Sequence, residues 1–241
     1  MLSESEARES VIVALDCDRK EALRLAGQLE GRARWVKVGM TLFYAEGPSI
    51  VREMGERGLR VFLDLKLHDI PFQVFGAARS ASLSGADMLS IHALGSAQMV
   101  SQARAGVERA AEECGRDRTR LVAISVLTSM DEEALSSVGI DRDLSDEVSR
   151  LASLAVGAGS DGIVCSPQEA ASMRALLGPD ALIVTPGVRP AGAALGDQRR
   201  VATPAAAIAA GASKLVVGRP VTQAGDPVAT FESIVSELCE G

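Results

Sequence analysis

The sequence predicts a (β/α)8 barrel, and three observations predict it. Eight short runs rich in Val, Ile and Leu are spread along 241 residues. Stretches with helical periodicity lie between them. Ionisable side chains gather where the runs end, on the rim where such barrels carry their chemistry.

The first run, residues 11–15, is apolar throughout and stops at Asp16, as a strand buried on both faces does. Residues 21–30 read as helix. The run at 35–39 carries Lys37 among apolar neighbours, and 48–57, opened by Pro48, is helical again. Residues 61–66 form the third run and 88–92 the fourth, ending at His92. Helix is expected over 97–113, then a strand at 121–126 shortly before Thr128, then helix over 146–158. Runs at 162–165, 182–185 and 214–217 complete the series, with Arg189 and Arg219 beyond the last two. A doubly wound open sheet is the alternative arrangement. No Gly-x-Gly-x-x-Gly follows the first run, and there is no Gly-Lys-Ser or Gly-Lys-Thr, so the nucleotide-binding versions of that sheet lack support.

Composition shows no break that would mark a linker, so residues 1–241 are expected to form one catalytic domain, with 1–10 a flexible N-terminal segment. Apolar residues make up 47%, enough for a sizeable core, while aromatics are only 3%. The formal charge of −7 argues against nucleic acid or an anionic membrane as a general partner, though not against a small anionic ligand. Four scattered cysteines and two histidines suggest neither a disulfide framework nor a zinc site. The polar, acidic N-terminus is unlike a targeting peptide, and no apolar run approaches a membrane span, so a cytoplasmic protein is expected.

Residues 64–71, Asp-Leu-Lys-Leu-His-Asp-Ile-Pro, carry the most information. Asp64 and Lys66 lie two apart in an apolar run and so share one face of a strand, with Asp69 where the strand must end. A structural ion pair at a sheet rim is the bland explanation. Flanking carboxylates favour the ammonium form of Lys66, which makes it a proton donor and a point charge rather than a Schiff-base nucleophile. That chemistry suits a reaction in which negative charge builds on carbon and is quenched by a proton. Two aspartates could equally hold a divalent cation, and spacing leaves that open. A second cluster, after the seventh and eighth runs, comprises Arg189, a long Gly/Ala-rich loop to Asp197 and Gln198, then Gly218 and Arg219. Barrels commonly bind phosphate there, and the loop has the length of a lid.

The Asp-Leu-Lys-Leu-His-Asp-Ile-Pro stretch, Leu-Thr-Ser at 127–129, Thr-Pro-Gly-Val-Arg-Pro at 185–190 and Val-Gly-Arg-Pro at 217–220 together resemble the orotidine 5′-phosphate decarboxylases. Their order and spacing agree from residue 11 to about 225. The Asp-x-Lys-x-x-Asp core is shared with other phosphosugar barrels; Ile-Pro and the Thr-Pro-Gly-Val-Arg-Pro to Gly-Asp-Gln combination are more specific.

The resemblance implies a reaction without cofactor or metal, orotidine 5′-monophosphate to uridine 5′-monophosphate and carbon dioxide, in pyrimidine biosynthesis. Lys66 is then expected to protonate C6, in an array with Asp64, Asp69 and Lys37. Asp16 and Lys37 are expected at the ribose hydroxyls, Thr128 at the pyrimidine, and Gln198, Gly218 and Arg219 at the phosphate, with Arg189 at the hinge of the lid. The resemblance also implies a homodimer in which Asp69 and the residue at 73 reach the partner's site. One departure stands out: Phe72-Gln73 follows Asp-Ile-Pro where the family usually has Asn-Thr. Gln73 keeps donor and acceptor capacity, so the cross-dimer contact is expected to survive with altered geometry. The alternatives are a Mg²⁺-dependent relative acting through an enediolate, and a nucleotide-binding barrel without activity.

Overall fold

Eight parallel strands pair in sequence order, and the eighth returns to the first to close a barrel. The computed structural model describes residues 1–189 and 202–240. The first half runs α1 (Glu4–Ser10), β1 (Val11–Ala14), α2 (Arg19–Leu29), β2 (Trp35–Gly39), α3 (Met40–Glu46), α4 (Pro48–Glu56), β3 (Arg60–Leu67), α5 (Pro71–Leu83) and β4 (Met88–His92). It continues with α6 (Ser96–Cys114), β5 (Arg120–Ile124), α7 (Glu132–Ser137), α8 (Leu144–Gly157), β6 (Gly162–Val164) and α9 (Ala170–Leu177). The last part is β7 (Leu182–Pro186), α10 (Pro204–Ala209), β8 (Lys214–Val217), α11 (Arg219–Thr222) and α12 (Pro227–Glu240). Each expected strand is present, displaced by at most two residues at an end.

Strand alternation divides the apolar residues into two cores. Ile12, Ala14, Trp35, Phe62, Met88, Val122, Ile124, Val164, Val184 and Val216 fill the barrel interior. Their neighbours in the same strands, such as Val11, Val13, Val36, Leu63 and Leu121, face outward into a larger layer shared with the helices. Because both faces are covered, the strands read as unbroken apolar runs, which is why the sequence betrays them. Helix starts are set locally: the Asp18 side chain accepts from the Glu21 amide to begin α2, and Pro71 opens α5.

Residues 1–10 differ from the flexible segment expected. Ser3 and Glu6 form a reciprocal capping box that starts α1, Ala7 is fully buried, and Arg8 pairs with Glu232 of α12 at 2.7 Å. Glu9, at the end of α1, closes the N-terminal mouth of the barrel. Its carboxylate accepts from Trp35 Nε1 at 2.8 Å and from Lys214 Nζ at 2.7 Å. The Lys214 ammonium stands 4.7 Å from the Trp35 ring centroid. The opposite mouth is therefore the open one.

Candidate active site

At the C-terminal mouth a cavity of about 430 Å³ opens among Asp16, Lys37, Asp64, Lys66, Thr128, Arg189, Gly218 and Arg219. Phe62, Ile124, Val164 and Val216, the top of the inner core, form its apolar floor. Such a site, mostly apolar with a few convergent polar groups, suits a small ligand with one flat face and one charged end.

Four charges of alternating sign line one wall. Lys37 points inward from β2 and donates to Asp16 Oδ1 at 2.7 Å; its Nζ lies 3.5 Å from Asp64 Oδ2. Lys66 donates to that same Asp64 oxygen at 2.8 Å. Asp16 is free for this pairing because α2 takes its cap from Asp18. Asp64 is buried, and burial by itself pushes a carboxyl up. The ammonium groups of Lys37 and Lys66, with hydrogen bonds from Lys66 and Ser90, outweigh burial and hold Asp64 below its ordinary value.

Two further residues shape this wall, and the sequence reading did not single out either. Gly39 ends β2 directly beside the ion pair. A Cβ there would lie 2.7 Å from Asp16 Oδ1 and 3.0 Å from Lys37 Nζ, so only glycine leaves the pair undisturbed. Ser90, fully buried in β4, donates to Asp64 Oδ1 at 2.7 Å. Alternation within β4 places Ser90 on the same inward face as Met88, but no sequence signal ties either Ser90 or Gly39 to the array.

Across the cavity the walls turn positive. Gly187, with φ of 83°, makes the turn after β7 that brings Arg189 back to the mouth. Arg189 is buried and donates to the Val188 carbonyl at 3.0 Å. Burial and the nearby charge of Arg219 hold its guanidinium below the ordinary value. Two neighbouring cations at the far end of a cavity are a place for an anion. Gln198 and the expected lid, residues 190–198, lie outside the described residues.

Asp69 and Gln73 do not line this cavity. They border a neighbouring surface depression with Tyr44 and Met40, which Lys66 also lines, and the Asp69 carboxylate accepts from the Ile70 amide at 2.6 Å. Around them Phe72 is 78% exposed, Tyr44 72% and Ile70 63%. Within one chain the array is thus Asp16, Lys37, Asp64, Lys66, and Asp69 is not part of it. His92 is stacked on His68 with ring centroids 5.3 Å apart. Burial, reinforced by the charges of His68 and Lys66, pushes His92 down to about 4, so it is a neutral ring beside the array at neutral pH.

Residues 9–234 match the family described as orotidine 5′-phosphate decarboxylase / HUMPS. A relative from Moorella thermoacetica, named orotidine 5′-phosphate decarboxylase, is 49% identical over 96% of this chain and 93% of its own. One of the same name from Thermobifida fusca is 51% identical over 95% of each chain. Among solved structures, orotidine 5′-phosphate decarboxylase from Lactobacillus acidophilus superposes with a TM-score of 0.85 at 36% identity, covering 95% of this chain and 98% of that one.

Proposed function

The chain belongs to the orotidine 5′-phosphate decarboxylase / HUMPS family, and from that premise we propose that it converts orotidine 5′-monophosphate to uridine 5′-monophosphate and carbon dioxide. The observation that carries this reading is the Lys66 ammonium, held on Asp64 at 2.8 Å in a cavity whose far end carries Arg189 and Arg219. A phosphate at the two arginines and a pyrimidine on the apolar floor bring the carboxylated carbon toward Lys66.

In the reaction the bond between C6 and the carboxylate breaks and its electron pair stays on C6. Carbon dioxide leaves, Lys66 gives a proton to C6, and solvent restores the ammonium. The pyrimidine ring delocalises that charge poorly, so a cation already in place is the larger contribution to rate. Repulsion between Asp64 and the departing carboxylate adds ground-state destabilisation. Asp16 and Lys37, already paired at 2.7 Å, are placed to meet the ribose hydroxyls. Thr128 meets the base, and Arg219 with the Gly218 backbone and Gln198 holds the phosphate. Arg189 adds charge at that end and hinges the lid.

The reading includes a homodimer. Asp69 and Gln73 lie outside the cavity lining of their own chain, in the depression next to Lys66 and amid the exposed Tyr44, Ile70 and Phe72. That apolar patch is suited to a second copy, whose cavity would receive Asp69 beside Lys66. A cytoplasmic enzyme without cofactor is part of the same reading. The metal-dependent relatives share the Asp-x-Lys-x-x-Asp core, and the metal-free reading is favoured over them by Ile70-Pro71 and the Thr-Pro-Gly-Val-Arg-Pro segment at 185–190. Turnover of orotidine 5′-monophosphate, followed by loss of its ultraviolet absorbance with and without a chelator, tests the proposal. Turnover that survives the chelator is expected; none, or turnover that needs Mg²⁺, would overturn it.

A further inference from the structure

The strands β3 and β4 lose register at the array. Leu63 pairs with Leu89, but the next pairing is Leu67 with Ile91, so Asp64, Leu65 and Lys66 stand opposite Ser90 alone. A bulge of this kind re-aims side chains next to active sites. At its end Lys66 adopts φ of 52°, and among the described residues only Ser96 is another non-glycine residue with positive φ. L-residues adopt that conformation rarely, and keep it where their surroundings over-determine it.

Ser90 supplies that determination. Its hydroxyl accepts from the Lys66 amide at 2.8 Å and donates its single proton to Asp64 Oδ1 at 2.7 Å. One buried atom thus ties the backbone of the lysine to the carboxylate that the same lysine's ammonium meets at 2.8 Å. The ring Lys66 amide, Ser90 hydroxyl, Asp64 carboxylate, Lys66 ammonium is closed. Removing the hydroxyl leaves the part-buried Lys66 amide and the buried Asp64 carboxylate each short of a partner.

We propose that Ser90 is a positioning residue: by holding both ends of the Asp64–Lys66 pair it aims the Lys66 ammonium at the reacting carbon. The inference rests on the decarboxylase reading above. Ser90 does not line the cavity, and it acts through Asp64 and Lys66.

The test compares wild type, Ser90→Ala and Ser90→Thr in steady-state turnover of orotidine 5′-monophosphate, together with amide hydrogen exchange at Lys66. For Ser90→Ala, kcat is expected to fall on the order of tenfold to a hundredfold with KM little changed, as for loss of a hydrogen bond to a charged group. The Lys66 amide is expected to exchange faster, and Ser90→Thr, which restores the hydroxyl, to recover both. A merely structural serine would lower thermal stability and leave kcat alone. Ser90→Ala with wild-type kcat overturns the inference, as does a loss of kcat without faster exchange at Lys66. A wild-type protein that does not turn over the substrate refutes the decarboxylase reading instead, and the exchange measurement then still judges whether Ser90 anchors Lys66.

Discussion

Gly39→Ala is the substitution that most cleanly separates the charged array from the fold. The backbone at Gly39 has φ of −89° and ψ of 177°, which alanine adopts without strain. The added methyl carbon would sit 2.7 Å from Asp16 Oδ1, where ordinary contact begins at 3.4 Å, so the carboxylate must retreat by about 0.7 Å. Lys37 Nζ, at 3.0 Å from the same point, must give by about 0.4 Å. Both atoms are tips of flexible side chains, so the fold yields easily while the 2.7 Å bond between them does not survive. Displacements approaching 1 Å in a positioned site cost up to about a hundredfold in rate. Gly39→Ala should therefore lose on the order of tenfold to a hundredfold in kcat/KM for orotidine 5′-monophosphate and bind uridine monophosphate more weakly. Its melting temperature should match wild type. Steady-state kinetics, ligand titration and calorimetry on one preparation decide it. Wild-type kcat/KM in Gly39→Ala would refute the claim that this glycine exists to make room for the ion pair.

The other expectations follow from the same geometry. Lys66→Ala should reduce turnover by on the order of 10³-fold or more while uridine monophosphate still binds; near-normal turnover would remove Lys66 from its role. Arg219→Ala should weaken phosphorylated ligands by about tenfold to a hundredfold and nucleosides hardly at all, as read by calorimetric titration. Asp64 is held below its ordinary value, so its stabilising contribution is complete above the normal aspartate range and fades as pH falls through the folded-state value. Urea midpoints measured from neutral pH downward should thus fall more steeply with acid in wild type than in Asp64→Asn; parallel curves would contradict the shift. Phe72→Asp should favour monomers in sedimentation and lower activity at dilute protein, because it charges the exposed patch around Asp69.

The eight strands were legible because a parallel barrel strand is buried on both faces and leaves a mostly apolar run. Asp16, Lys37, Asp64 and Lys66 were legible because a charge in such a run has few bland explanations. The N-terminal helix was missed, although Ser3 and Glu6 carry the spacing of a capping box, since its buried face is as slight as Ala7. Ser90 was missed for a different reason. Serine in a strand is unremarked until the register slip between β3 and β4 sets three residues against it, and that slip is a property of two strands together. Asp69 shows the limit of spacing arguments. Five residues from Asp64, it follows the turn out of the barrel and leaves its own chain's cavity.

The sealed mouth of the barrel has a spectroscopic consequence. The chain has one tryptophan and one tyrosine. Trp35 sits inside the barrel among Glu9, Lys214 and Arg60, at the end remote from Lys66. Tyr44 lies on the exposed patch beside Asp69. Indole emission therefore reports the integrity of the closed end and the docking of α1, largely blind to ligand at the open mouth. Phenol absorbance reports the patch where a second copy is expected. Without any label, the protein carries two optical probes that watch its two ends separately.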